Sequence, residues 1–589
     1  MTLKQTLGFF WAYLKKYKIQ AIVMIIALIA SNYFFVLAPR YLGKAIEELV
    51  HYLNAFFTTG NASLDAFHHI LRMMILFYGI SIVGDFIGIF LNAGISGHTT
   101  NHMRIDMFKK VEKLAIRFFD TSNDGELLAR FTSDMENIGN ALQQYLVQIF
   151  SNVFMMIGVI YMMFDVNVQM ALITLAITPI AWIITIIIVR KSKKYADLRQ
   201  DCVGELNAYI DEKISGQKMI ITNGLEEETV KGFYSHNDKV RANSFRSEVY
   251  GGLLFPVMQG IGLVNIAMVI FFGAYLAMSG SVERAAGLGM IVVFVQYSQM
   301  FYRPLTEVAA MYSQMQLAVV GARRVKEILD ETEEVEAENA QVLPGLEKEL
   351  VLHDVEFGYI PGKQILKKIN FEVYKGKMVA VVGPTGSGKT TIMNLLNRFY
   401  DVDAGAITID GVNINDLTLE SLRNNVGIVL QDSTLFTGTI RHNIAFGKPD
   451  ATDEEVQSAA KQAHIHEFIM NLEEGYNTEI SDENNVFSTG QKQLISIART
   501  ILTNPSLLIL DEATSNVDTV TESRIQKAMD RIIQGRTSLV IAHRLKTILD
   551  ADHILVLVDG QVIEEGNHRQ LLEKNGFYAE LYENQFVLD

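Results

Sequence analysis

The chain of 589 residues is 49 % hydrophobic and 20 % charged, with a formal charge of −15 and a mean hydropathy of +0.19. That length is too great for one hydrophobic core, so two or more domains are expected. The acidic balance argues against a nucleic-acid partner, which calls for a basic face, and the single cysteine, Cys202, excludes an intrachain disulfide and reads as an inert thiol.

At the N-terminus Leu3, Leu7, Phe10, Trp11 and Leu14 fall on one helical face, which predicts a short amphipathic helix lying along a membrane surface. Lys4, Lys15, Lys16 and Lys18 then precede an apolar run over about residues 19–38. That run is long enough to span a bilayer, and no small-residue cleavage site ends it, so it reads as a transmembrane helix and not as a signal peptide. Further apolar stretches centre near 70–92, 141–164, 168–189, 252–278 and 286–308, giving six spans. Between the second and third lie Arg104, Lys109, Lys110, Lys113, Arg117 and Arg130; between the fourth and fifth lie Arg190, Lys191, Lys193, Lys194, Arg199, Lys213 and Lys218. The short loop near Asp165 has no base. The positive-inside rule therefore predicts that both termini and the two long basic connections are cytoplasmic, in a multi-pass protein of the cell membrane. Structureless loops of that length are improbable, and Met107, Val111, Leu114 and Phe118 recur at helical spacing, so the connections are expected to be helices continuing beyond the bilayer.

The spans carry methionines and aromatics (Met155, Met156, Phe271, Phe272, Met290, Phe294, Met300, Phe301), side chains that suit varied apolar ligands although packing is the ordinary use of each. Polar residues are scattered among them: Asn32, Gln148, Asn152, Gln259, Asn265, Gln296 and Gln299. Asp85 reads as the one carboxylate well inside a span, and an intramembrane acid is costly enough to be a functional candidate. It would bind a cationic compound, or form a structural pair with Arg303 or a residue of a partner chain.

A transmembrane domain is assigned to 1–320 and a linker to 321–348, where Asp330, Glu331, Glu333, Glu334, Glu336 and Glu338 suggest a solvated face and not a metal site. A nucleotide-binding domain is assigned to 349–589. There the strand Met378–Val382 leads into Gly383-Pro384-Thr385-Gly386-Ser387-Gly388-Lys389-Thr390, with Thr391 next and an apolar helix following. This is the P-loop pattern, whose backbone amides curl around phosphate oxygens at a helix N-terminus. Lys389 is expected to reach the β- and γ-phosphates of ATP, and Thr390 to ligate Mg²⁺. A second strand, Leu507-Leu508-Ile509-Leu510, delivers Asp511 and Glu512. Asp511 is expected to hold the metal and Glu512 to serve as the base for the attacking water.

Between these motifs stands Phe487-Ser488-Thr489-Gly490-Gln491. The order of P-loop, Gln431, this S-x-G-Q segment, Asp511-Glu512 and His543 resembles the ATPase domain of ABC transporters, and with six preceding spans nearly the whole chain resembles an ABC exporter half-transporter. The fold class this implies is multi-domain: an all-α six-helix transmembrane domain followed by an α/β P-loop ATPase domain with a small antiparallel sheet. The resemblance implies that Tyr359 stacks on adenine, that Gln431 senses the γ-phosphate and Mg²⁺, that His543 contacts the γ-phosphate, and that Asp518 communicates with the opposite site. It also implies that Ser488, Gly490 and Gln491 bind the nucleotide held by another subunit, so a dimer is required. Segments 105–138 and 205–228, with Glu212 and Gly216, resemble the family's coupling regions more loosely.

The family's usual signature is Leu-Ser-Gly-Gly-Gln; here Phe487 replaces Leu and Thr489 replaces the first Gly, and Ile480 to Asn485 depart from the usual Gly-Glu-Arg-Gly. Threonine adds a β-branched side chain where glycine would let the backbone come close. Lys389, Glu512 and His543 are intact. Good catalytic residues with an altered signature resemble one member of the bacterial heterodimeric multidrug exporters; a homodimer tolerating the altered signature is the alternative. The expected function is ATP-driven efflux of hydrophobic or amphipathic compounds, with membrane lipids and a second half-transporter as partners. The competitors are a lipid or lipopeptide flippase and, from another class, an ATP-gated channel or sensor, against which the intact Glu512 and His543 argue.

Overall fold

The computed structural model describes residues 3–60, 63–279, 283–430, 434–481, 487–511, 519–541 and 545–586. The chain divides into two compact units: Met1–Glu112 with Asn123–Glu331, and Lys113–Ser122 with Thr332–Asp589.

The first unit is all helix. Among the described residues six stretches are long and apolar enough to cross a membrane: Gly8–Thr58, Asp65–Val111, Asp124–Val166, Val168–Ser215, Glu226–Met278 and Ala285–Pro304. The helix Lys18–Thr59 has 42 residues and Glu226–Met278 has 53. At ~1.5 Å per residue both exceed a ~30 Å hydrocarbon core about twofold or more, so the helices do continue past the bilayer. The third stretch is interrupted by two π turns, Arg130–Asp134 and Ala141–Tyr145. A core of Val36, Val159, Met163, Met170, Met258, Phe294 and Tyr297 holds the bundle together. Within it the Tyr297 hydroxyl donates to the Val36 carbonyl at 3.0 Å, and Asn265 donates to Ser298 at 2.9 Å. These bonds pair the Tyr297 hydroxyl and the Asn265 NH₂ group, buried donors that would otherwise oppose packing.

Among the described residues the second unit carries three sheets, the smallest being the antiparallel pair Gly438–Thr439 and Glu479–Ile480. Six strands run in the order Gln561–Gly566, His553–Val558, Met378–Val382, Thr537–Ile541, Leu507–Asp511, Val426–Val429. All pairings are parallel except that of the edge strand Gln561–Gly566 with its neighbour. An antiparallel sheet of four is built from Leu366–Tyr374, Glu349–Phe357, Ala404–Ile409 and Val412–Asn413. Successive side chains of a strand face opposite sides. Met378, Ala380 and Val382 accordingly enter one core with the helices, and Val379 and Val381 enter the other with the antiparallel sheet. Burial on both faces is why this strand reads as an unbroken apolar run.

Two segments outside the sheets complete the second unit. In Lys113–Ser122, Leu114 bridges to Glu333 and a short helix spans Ile116–Thr121. The acidic stretch expected to be solvated is only partly so: Glu334 takes a bidentate bond from Arg423 at 2.7 and 2.8 Å, and Glu336 accepts from the Leu419 amide. Leu343 and Leu346 beyond it are buried. Among the described residues no group of three His, Cys, Asp or Glu could hold a metal ion.

Candidate functional site

The strand Met378–Val382 is buried throughout and ends at Gly383. Gly383, Gly386 and Gly388 have φ of +155°, +83° and +107°, where side chains are strained. A Cβ at Gly383 would stand 2.0 Å from the Leu557 carbonyl oxygen, and one at Gly388 2.6 Å from the Leu366 side chain. The loop is therefore closed to anything but glycine at both points. Lys389 opens the helix Lys389–Leu396; its buried ammonium donates to the carbonyl oxygens of Gly383 and Pro384 at 2.9 and 3.0 Å. Burial pushes the Lys389 pKa below its ordinary value, and the Asp511 carboxylate works against that shift. The Ser387 hydroxyl is buried with no hydrogen-bond partner among the described residues. Thr385 and Thr390 are exposed. A buried ammonium, an unpaired hydroxyl and a helix N-terminus around a glycine cradle fit a polyphosphate.

The strands bearing the acidic motif and residues 537–541 lie beside this loop. Ile541 is paired both with Val381 and with Asp511, so the three carboxyl ends stand side by side. A hydroxyl at Thr390 and a carboxylate at Asp511 are the oxygen donors that Mg²⁺ takes, and two protein ligands suffice when substrate phosphates supply others. Gln431, Glu512, Asp518 and His543 lie outside the described residues.

Tyr359 is propped by edge-on contacts with Phe357 at 5.0 Å and Tyr400 at 4.9 Å between ring centroids. Its hydroxyl accepts from Asn394 at 3.0 Å and lies 3.4 Å from the Thr391 hydroxyl. Tyr400 in turn donates to Asp120 at 2.5 Å, and burial, reinforced by that bond, raises its pKa. Sequence reasoning did not connect Asp120 to the aromatic cluster, because 280 residues separate it from Tyr400.

The altered signature forms a well-made helix start. Ser488 caps the helix Thr489–Thr503: its hydroxyl accepts from the Gln491 amide, and the Gln491 side chain accepts from the Ser488 amide. Phe487 is buried edge-on against Phe468 at 5.8 Å. Gly490 is buried, whereas Ser488 and Thr489 face outward. Further along the same helix, Arg499 stacks on Phe436 and Phe446 and donates to the Asn443 carbonyl, and burial lowers its pKa.

The first unit holds an open cavity of about 760 Å³. Asp85 lines it, accepting a 2.7 Å hydrogen bond from Ser31, which is itself 3.1 Å from Ser81. Arg303 also lines it, and its described ion-pair partner is Glu307 at 2.9 Å. Glu307 further accepts from Gln148 at 3.0 Å and Asn152 at 3.1 Å. Sequence reasoning singled out Asp85 and missed Glu307, though Glu307 stands within the sixth apolar stretch, four residues from a base. A second signal was available: Asn140, Gln144, Gln148 and Asn152 recur every four residues, which places them on one helical face. The methionines and aromatics behave otherwise. Met290, Phe294 and Phe301 are buried in the bundle core, while Met155 and Phe35 reach the cavity.

Comparison with known proteins gives two family matches: the ABC transporter transmembrane region over residues 21–305, and the ABC transporter family over 366–515. The chain is 41 % identical over 584 residues to an uncharacterised ABC transporter ATP-binding protein of Bacillus subtilis, covering 99 % of this chain and 94 % of that one. It is 41 % identical to a fatty acid ABC transporter ATP-binding/permease protein of Mycobacterium bovis, over 82 % of this chain and 76 % of the relative. A probable multidrug resistance ABC transporter ATP-binding/permease protein of Bacillus subtilis is 37 % identical over 82 % and 72 % respectively.

Proposed function

The chain belongs to the ABC transporter family as an exporter half-transporter that couples ATP hydrolysis to transport, and on that premise we propose that it drives multidrug-type efflux of hydrophobic or amphipathic compounds across the cell membrane as one subunit of a heterodimer. The P-loop amides and Lys389 hold the phosphates, and Tyr359 stacks on adenine. Mg²⁺, held by Thr390 and Asp511, supplies charge neutralisation on the phosphates when bound. Glu512 takes the proton of the water that attacks the γ-phosphorus, as the bond to the departing ADP oxygen breaks. Gln431 and His543 contact the γ-phosphate region, and Asp518 communicates with the opposite site. Both termini are cytoplasmic, with the ATPase domain. Domain limits of 1–320, 321–348 and 349–589 accompany this reading.

The observation that carries the heterodimer is the signature helix. Its cap is sound, so the segment is not a decayed one, yet Thr489 presents a side chain outward at the first helical position. The nucleotide it approaches belongs to another subunit, and a branched side chain there weakens that subunit's site. This chain's own site keeps its catalytic residues and needs an unaltered signature from a different chain. The relatives' names, fatty acid and multidrug, leave flippase-type movement of a lipid as the second reading. Purification of this chain with its native partner, followed by mass spectrometry, tests the assembly. A different half-transporter is expected, and a stable homodimer with stimulated turnover contradicts it.

A further inference from the structure

The cavity in the first unit is built from four helices, and its polar groups are mutually arranged. Glu307 accepts at one oxygen from Arg303 and at the other from both Gln148 and Asn152. Its charge is thus met by a guanidinium. An ionised carboxylate only accepts, so each amide must turn its NH₂ toward Glu307. The group each amide then has left to offer is chiefly its carbonyl oxygen. Asp85 differs. One of its oxygens accepts from Ser31, and among the described residues it has no cationic partner in an ion pair. Gly84, beside it, allows helix Asp65–Val111 so close to Lys18–Thr59 that a Cβ there would stand 2.9 Å from the Ala27 carbonyl oxygen and 3.0 Å from the Ser31 Cβ. The bond between Ser31 and Asp85 is therefore fixed by backbone approach. Opposite them the π turn Ala141–Tyr145 leaves the Gln143 carbonyl to be taken by Asn92 at 2.5 Å. Such turns mark functional sites often.

An uncompensated carboxylate facing amide oxygens makes a surface rich in acceptors. We infer that this cavity seats the polar end of a primary-amine amphiphile, its ammonium on Asp85 and its remaining N–H or hydroxyl donors on Gln148 and Asn152. This rests on the exporter reading and narrows it. A quaternary ammonium carries the same charge but no N–H, so it forgoes the hydrogen bonds that a primary amine donates to the carboxylate and the amide oxygens. Glu307 is a positioning residue: it fixes which end of each amide faces the ligand.

The test uses the full chain with its native partner in lipid nanodiscs and three fluorescent probes of one chain length: a primary alkylamine, its N,N,N-trimethyl analogue and its N-acetyl analogue. The wild type is expected to bind the primary amine about tenfold or more tightly than either other probe, the scale of a charged hydrogen bond. Asp85→Asn should bring the primary amine to the level of the N-acetyl probe and leave the N-acetyl affinity unchanged, which also reports that the variant is folded. Glu307→Gln should narrow the preference for primary over trimethyl amine while the preference for charge persists. Equal wild-type binding of the two cations overturns the inference, as does an equal loss of all three probes in Asp85→Asn. ATP-driven movement of any probe in the same preparation keeps the exporter reading standing if the discrimination fails. Its absence for every probe brings down that reading instead.

Discussion

Lys389 bonds to carbonyl oxygens of its own loop, while the buried Ser387 hydroxyl has no partner among the described residues, an arrangement that a phosphate would complete. At this scale the sequence was most informative, because the P-loop is local: eight consecutive residues specify its turn, its amides and its ammonium. Glu512 is likewise proposed as the base from its place after Asp511. Glu512→Gln should bind ATP normally and lose roughly 10²–10⁴ in turnover, the usual contribution of a positioned base; steady-state hydrolysis within a few-fold of wild type would remove it from that role. Thr489 offers a gain-of-function experiment. This chain expressed alone should show little drug-stimulated ATPase activity, and Thr489→Gly should raise it, whereas no change would detach the signature from the asymmetry. Glu307 was harder to see. Its significance depends on Gln148 and Asn152, 159 and 155 residues away, and such pairs are invisible until the fold brings the helices together.

Elements were legible in type and less so in extent. Apolar runs marked the six spans, but hydropathy stops at the edge of the bilayer, so the full length of Glu226–Met278 was not visible in it, and the helical spacing from Met107 to Phe118 runs past the helix end at Val111 into a bridge at Leu114 and a separate short helix. The acidic stretch before the ATPase domain looked solvated because charge is its visible property; the bidentate grip of Arg423 on Glu334 depends on a residue 89 positions on. Close packing of the first two long helices can be tested at glycines. Alanine ordinarily stabilises a helix over glycine by about 0.5–1 kcal/mol. Gly94→Ala, with nothing within 4 Å, should therefore hold or raise the melting temperature. Gly84→Ala meets the Ala27 carbonyl and should lower it, at a cost of about 1–3 kcal/mol for overpacking. Equal melting of the two would mean the helices have room to part. In the ATPase domain, burial raises the Asp410 pKa but bonds from the amides of Glu347, Glu349 and Lys348 outweigh it and hold the carboxyl below its ordinary value. A depressed folded pKa gives stability that is present above the unfolded value, about 3.9, and is lost as pH falls through the folded one. Asp410→Asn should melt below wild type at pH 7, and the gap should close on acidification below about pH 4; a gap independent of pH would assign the loss to shape alone.

For the whole molecule, the joining of six apolar helices to a P-loop domain in one chain was legible, since each half has its own composition and the motif order is linear. Substrate chemistry was not. Methionines and aromatics suggested an apolar pocket, yet Phe294 and Phe301 fill the core, and the cavity mixes apolar side chains such as Met155 and Phe35 with carboxylates and amides. Which face a side chain takes is a property of the assembled bundle. Everything proposed for the molecule turns on ATP hydrolysis doing transport work. Inside-out vesicles carrying this chain and its native partner should accumulate an amphiphilic dye against its gradient when given ATP, and should fail to do so when this chain carries Glu512→Gln. Flow that only dissipates a gradient, or accumulation untouched by Glu512→Gln, would contradict the account.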